Sequence, residues 1–272
     1  MPLRARIQKL VRGRLSPIAH RIIGISYPTF HKRILHLHRL VLAQRLFRDN
    51  GGKVKYGPFA GLVIAKKESE VNPDFPAMYF GLYEKEILDA LFELPRTRDL
   101  FINLGAGDGY YPIGVLINHI CKRSIAYEMD LDRQSVLKSL AIENGVEPQI
   151  EIRGFANVDF HQEFSSAQLA QAVIFSDIEG GEFEIFTADS FRALKNSIII
   201  LELHTHLVPE GSEKLQAMRQ SALEHFDIKE FTTGARDLSE YEELHDIPDV
   251  DRWFMAMEGR GPLMTWWVLS PR

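Results

Sequence analysis

Residues 100–114 read Leu100-Phe101-Ile102-Asn103-Leu104-Gly105-Ala106-Gly107-Asp108-Gly109-Tyr110-Tyr111-Pro112-Ile113-Gly114. Leu100 to Leu104 is apolar at every position but Asn103, the pattern of a buried strand. Gly105 to Gly109 supplies small residues that permit a sharp turn and let a ligand approach the backbone. Tyr110 to Cys121 is apolar enough for a helix packed against a sheet. Strand, glycine turn and helix, in that order, is how doubly wound α/β proteins build a nucleotide site at the carboxyl end of the first strand. Glycine spacing alone is equally compatible with a plain structural turn.

The next strand separates the two readings. Ser124-Ile125-Ala126-Tyr127-Glu128 is short, mostly apolar, and ends on an acid. It falls about 20 residues after the glycines, the spacing of a carboxylate that accepts hydrogen bonds from ribose hydroxyls. A nucleoside-containing cofactor is the expectation.

Three segments together resemble the FkbM-type branch of the class I methyltransferases, which use S-adenosyl-L-methionine. They are Gly105 to Tyr111, Tyr127-Glu128, and Ser176-Asp177-Ile178-Glu179-Gly180-Gly181-Glu182, with Glu202-Leu203-His204 following a strand. The resemblance spans residues 80–206. It implies a Rossmann-like class I methyltransferase fold, a seven-stranded mostly parallel sheet with helices on both faces and an antiparallel last strand. It also implies cofactor contacts from Asn103, Gly105, Gly107, Asp108, Gly109, Tyr110, Glu128, Met129, Phe155, Ala156 and Asp177. The helix that starts at Tyr83 and Glu84 precedes the first strand and can cover the mouth of the site, so these two either reach the methionine end or simply begin the helix, with Glu84 as an acid near its positive end. The family often has an acid where Asn103 stands and a lysine where Phe175 stands, so roles carried by those groups do not transfer.

Composition is that of an ordinary globular protein: 272 residues, 45% hydrophobic and 25% charged. One cysteine, Cys121, excludes an intramolecular disulfide and fits a reducing, cytoplasmic setting. No apolar run approaches the ~20 residues of a membrane span. Charge is unevenly placed. Residues 1–48 carry eleven bases and no acid, leaving 21 of the 32 bases against all 37 acids on residues 49–272. A basic arm joins an acidic body.

The expected divisions are a basic, partly amphipathic helical arm at 1–49, a hairpin and covering helix at 50–96, and the cofactor-binding domain at 97–272. Within the arm, residues 3–25 and 29–48 read as two helices separated at Tyr27-Pro28. The second either lies on an anionic membrane surface or packs its apolar face on the body. An acid-poor, Arg-rich start also resembles an organelle transit peptide. Lys53–Tyr56 and Gly61–Ala65 read as a hairpin, 66–78 as a loop, and a helix starts near Gly81-Leu82-Tyr83-Glu84. Beyond Glu128 the pattern gives helices at Asp132–Asn144 (Asp132 as N-cap), Gln162–Gln171, Phe183–Leu194 and Ser212–His225 (Ser212 as N-cap). They alternate with strands at Gln149–Arg153, Ala172–Ser176, Ile198–Leu203, Asp227–Thr232 and Leu263–Leu269. Residues 233–262 form an acidic insert containing Tyr241, Trp253 and Phe254. It is long enough to close over an acceptor, and it pairs aromatic faces with carboxylates as sugar-binding surfaces do.

The expected activity is S-adenosylmethionine-dependent O-methylation of a sugar, glycan or other small-metabolite hydroxyl, an acceptor class taken from the resemblance. An alcohol nucleophile must lose its proton, so a base is needed near the ends of the fourth and fifth strands. His204 is the preferred base because a neutral imidazole near pH 7 suits the task, with His206 as its substitute. Asp177 would hold the cofactor amino group or the acceptor hydroxyl, and Glu182 serves either the site or the helix dipole. A divalent cation is not expected, since no ligand spacing is diagnostic; Asp177, Glu179, His204 and His206 would be its ligands. Two rival readings are a non-catalytic module docking to a membrane or glycan assembly through the arm, and a protein or nucleic-acid methyltransferase. The arm offers phosphate contacts, but the acidic body argues against nucleic acid.

Overall fold

The computed structural model describes residues 16–95, 98–260 and 263–272. Seven strands form one sheet: β1 (Leu100–Leu104), β2 (Arg123–Tyr127), β3 (Ile150–Arg153), β4 (Ala172–Ser176), β5 (Ile198–Leu203), β6 (Phe226–Thr232) and β7 (Thr265–Pro271). Their order is β3-β2-β1-β4-β5-β7-β6. All neighbours run parallel except β7, which is antiparallel to β5 and β6. This is the expected Rossmann-like arrangement, and its strand order reverses between β1 and β4, where such folds place their ligands.

Register explains why three separate motifs meet. Leu104 pairs with Tyr127 on one side and Ser176 on the other, so β1, β2 and β4 end level. The next residues, Gly105, Glu128 and Asp177, therefore emerge along one edge. Ser176 pairs with Leu201, which carries Glu202 and His204 to the same edge. Side chains alternate between faces. Phe101, Val173, Phe175, Ile198 and Ile200 enter one apolar cluster, whereas Leu100, Ile102, Leu104, Ile174, Ile199 and Leu201 enter the other.

Helices cover both faces: α4 (Tyr110–Ile117), α5 (Leu131–Glu143), α6 (Ser166–Ala170), α7 (Glu182–Ile185), α8 (Ala188–Ala193) and α9 (Gly211–Leu223). Several of the expected helix boundaries move. Asp130, not Asp132, caps α5, its side chain accepting from the Asp132 and Arg133 N–H groups. The expected 162–171 helix starts only at Ser166, capped by Ser165 in a reciprocal box with Gln168. The expected 183–194 helix divides into α7 and α8, because Thr187 leaves the helical conformation to cap α8. Glu210 at positive φ, rather than Ser212, precedes α9.

The amino-terminal region differs more. Among the described residues one helix, α1 (Ser16–Asn50), runs through Pro28 in place of the expected break; residues 3–15 of the expected first helix lie outside the described residues. Lys53 and Val63 form a single antiparallel bridge rather than a hairpin. The expected loop at 66–78 holds most of α2 (Phe75–Tyr79), and α3 (Lys85–Phe92) follows. The insert carries α10 (Asp249–Ala256). Leu42, Ala43 and Leu46 of α1 pack with Phe75, Tyr79 and Phe80, and with Leu238, Tyr241, Leu244 and Met255 of the insert, as a third apolar cluster. Arg39 is buried there, donating to Asp74 (2.6 Å) and the Met257 carbonyl (2.7 Å). The carboxyl-terminal half of the arm thus packs on the body. Among the described residues no helix is long and apolar enough to cross a membrane.

Candidate active site

The glycine turn is shaped by what touches it. Gly105 has φ +77°, and a Cβ there would lie 2.0 Å from the Asp177 carbonyl oxygen, so no larger residue fits between β1 and β4. Gly107 N–H donates to Glu128 Oε2 at 2.7 Å, and Asp130 N–H donates to Oε1 at 2.9 Å. With both oxygens tied to backbone, the Glu128 carboxylate is fixed at the end of β2. Its remaining lone pairs are available to a ligand.

This edge opens into a cavity of about 880 Å³, within the range of small-molecule sites. Gly105, Gly107, Asp108, Gly109, Tyr110, Glu128, Met129, Phe155, Ala156 and Asp177 all border it. Met129 and Phe155 are exposed apolar side chains at its rim. Two of the expected residues do not border it. Asn103 is buried behind the turn, its amide 3.4 Å from the carbonyls of Leu104 and Gly105. Glu84 is buried in a left-handed conformation (φ 47°), accepting from the Tyr111 hydroxyl and from Arg260. Neither borders the cavity, because strand alternation and the helix start aim them elsewhere. The roof comes from residues without a sequence motif, among them Ile64, Val71, Asp74 and Met78, with Tyr83 beside them. Only their position ahead of the first strand hinted at this.

Beyond the cavity lies an acidic cluster around His204. Its Nε2 is 3.6 Å from Asp177 Oδ1, 3.7 Å from Glu202 Oε2 and 3.9 Å from Glu179 Oε2. Its Nδ1 faces Glu182 Oε1 at 3.5 Å. Glu182, fully buried, accepts from the backbone N–H groups of Gly180 (2.9 Å) and His204 (2.6 Å). Burial opposes the charged imidazole, but Glu182, Asp177 and Glu179 outweigh it and hold His204 above its ordinary value. Burial, and then the neighbouring Asp177, raise Glu202. Burial likewise raises Asp177. A histidine held toward its charged form is a poorer base at neutral pH than the sequence suggests. His206 is exposed in a 3-10 turn, its ring centroid 6.1 Å from that of His204, and does not approach Asp177 as a substitute would.

The insert closes over the same cluster through Arg260. It donates to Glu84 and Glu202, and at 2.9 Å to Glu258. Its guanidinium sits 5.8 Å from the centre of the Tyr83 ring, which borders the cavity. Arg236 fastens the insert to α3 through Glu86 at 2.5 and 3.0 Å. The insert's aromatics divide by role. Tyr241 is buried in the third cluster and Phe254 packs edge-on to His38, 5.2 Å between centroids. Only Trp253, 54% exposed, faces outward, lining a second cavity of about 380 Å³ with Arg236, Met257 and Arg260.

No family model matches the chain, and no curated protein matches it in sequence. Among solved structures, an uncharacterized protein from Listeria monocytogenes serotype 4b is similar at TM-score 0.46 and 14% identity, over 70% of this chain and 68% of that one. Sp1610 from Streptococcus pneumoniae, in complex with S-adenosyl-L-methionine, aligns at TM-score 0.44 and 18% identity over 68% and 72%. The tRNA methyltransferase TrmK from Bacillus subtilis aligns at TM-score 0.41 and 15% identity over 67% and 64%. Such likenesses concern the arrangement of strands and helices and not the chemistry of the site.

Proposed function

We propose that the chain is an S-adenosylmethionine-dependent methyltransferase acting on a hydroxyl of a sugar, glycan or other small acceptor. One observation carries the cofactor: the Glu128 carboxylate, fixed by two backbone N–H groups, one of them from the glycine turn, borders the cavity together with that turn, in which Gly105 admits no Cβ. Glu128 would accept the ribose hydroxyls, and Met129 and Phe155 would cover the adenine. Asp177 would receive the amino group. The cofactor supplies an electrophilic methyl on a sulfonium. The residues of this chain bind it, orient it for in-line attack, and bring the acceptor to the Asp177–His204 edge. The acidic surroundings suit a cationic sulfonium.

Calorimetric titration tests the cofactor, with binding of S-adenosylmethionine and none of NAD expected. Transfer of labelled methyl to a panel of hydroxylated small molecules and to tRNA tests the acceptor. Labelled tRNA with unlabelled small molecules would overturn the acceptor class, and tight NAD binding would overturn the whole reading.

A further inference from the structure

We propose that Asp177, Glu202 and His204 form a binding site for a divalent first-row transition-metal ion behind the edge where Asp177 borders the cavity. One donor atom from each residue lies within 4.8 Å of the other two. His204 Nε2 faces Asp177 Oδ1 and Glu202 Oε2 at 3.6 and 3.7 Å. These separations are too long for hydrogen bonds. They are close to the spacing of donor atoms around one ion with metal–ligand bonds of about 2.1 Å.

A second, independent observation concerns the ring itself. The His204 side chain is only 4% exposed, yet Nδ1 has no hydrogen-bond partner. Its nearest acceptor, Glu182 Oε1, lies at 3.5 Å and is anchored by two backbone N–H groups. A carboxylate on that side favours the tautomer with its proton on Nδ1, which turns the Nε2 lone pair toward Asp177 and Glu202. A histidine backed by a carboxylate and aimed at two further carboxylates is the usual outer-shell arrangement of a metal ligand. Glu202 is held in the same way: Oε1 is taken by Arg260, leaving Oε2 toward His204. Two carboxylates and an imidazole favour manganese, iron, cobalt or zinc over magnesium, which prefers oxygen alone.

The set differs from the one the sequence suggested. Glu179 (side chain 77% exposed) and the exposed His206 drop out, and Glu202 enters because β5 register places it beside Asp177. The ion's role rests on the methyl-transfer reading. Held by Asp177, Glu202 and His204, the ion would act as a Lewis acid toward an acceptor hydroxyl, whose proton would pass to water. The oxygen then bonds to the methyl carbon while the carbon–sulfur bond breaks, its electron pair staying on sulfur. His204 then serves as a ligand rather than as a base.

The test uses the full chain stripped by chelation and titrated with Mn²⁺, free ion being followed by electron paramagnetic resonance. S-adenosylmethionine binding is measured separately by calorimetry. One Mn²⁺ per chain is expected, weakened at least ~10-fold in both Glu202→Gln and His204→Gln, as for losses at metal sites generally. His206→Gln should bind Mn²⁺ like the parent. A rise in the parent's melting temperature on adding Mn²⁺ is also expected, and it needs no variant to fold. Absence of Mn²⁺ binding by the parent, or undiminished binding by both ligand variants, overturns the site. If Mn²⁺ fails while S-adenosylmethionine binds, the methyltransferase reading stands alone. If Mn²⁺ binds and S-adenosylmethionine does not, the site stands and the methyltransferase reading falls.

Discussion

Glu182 and His204 hold one another from two strand ends: the Glu182 carboxylate accepts the backbone N–H of His204 at 2.6 Å and faces its Nδ1 at 3.5 Å. The same carboxylate accepts from Gly180, closing the loop after β4 against the end of β5. Replacing Glu182 by Ala leaves two backbone donors unpaired in a buried site. A stability loss of about 1–3 kcal/mol for each is expected, the cost of an unsatisfied buried group. Equilibrium denaturation measures it. A loss near zero would mean that the two donors find other partners.

Glu128 is the test of the cofactor pocket. Glu128→Ala removes the acceptor for Gly107 and Asp130 along with the proposed ribose contact. S-adenosylmethionine binding should weaken by about 1.5–3 kcal/mol, the range for hydrogen bonds to a charged group. Calorimetry reads the change. Unaltered affinity would place the nucleoside elsewhere in the cavity.

A pH prediction comes from Glu243 in the insert. Lys55 (2.5 Å), Tyr56 (2.8 Å) and Tyr79 (3.1 Å) all donate to it. Burial pushes its carboxyl up, but these hydrogen bonds prevail and hold it below the ordinary value. A group depressed in the folded state contributes stability that is full above its unfolded value and is lost as pH falls through the folded one. The difference in melting temperature between the parent and Glu243→Gln should therefore be largest near neutrality and shrink below about pH 4.5. Scanning calorimetry across pH 3–7 measures it, and a constant difference would remove Glu243 from the acid response.

Trp253 tests whether the insert takes part in choosing the acceptor. It is the insert aromatic that faces outward, over the cavity bounded by Arg260, and Arg260 reaches Glu202 at the reactive edge. Trp253→Ala should raise KM for the acceptor and leave S-adenosylmethionine affinity unchanged. If only the melting temperature falls, the insert is a structural cover.

Much of the sheet was legible because local pattern suffices for it. β4 and β5 have the predicted limits, since a predominantly apolar run of five or six residues marks a strand buried on both faces. The glycine turn and Glu128 were legible for a similar reason: the positive φ of Gly105, Gly107 and Gly109 favours glycine, and the turn and the acid sit at fixed offsets within one βαβ unit. Helix ends were less so. Asp130 and Asp132 are equally good caps in sequence, and the backbone geometry chose the first.

What the sequence alone determined is the alternation of strands and helices, the glycine turn with its carboxylate, and the uneven charge. All of these rest on residues near one another in the chain. Only the tertiary structure decided that Asn103 and Glu84 turn away from the cavity, and that Tyr241 is core while Trp253 is surface. It alone set Glu202 in one group of donor atoms with Asp177 and His204, and sent Arg260 from the insert to join Glu84 and Glu202. The physical reason is that a side chain's face is fixed by register and its partners by packing. Glu84 and Arg260 stand 176 positions apart in the chain, and no local pattern links them.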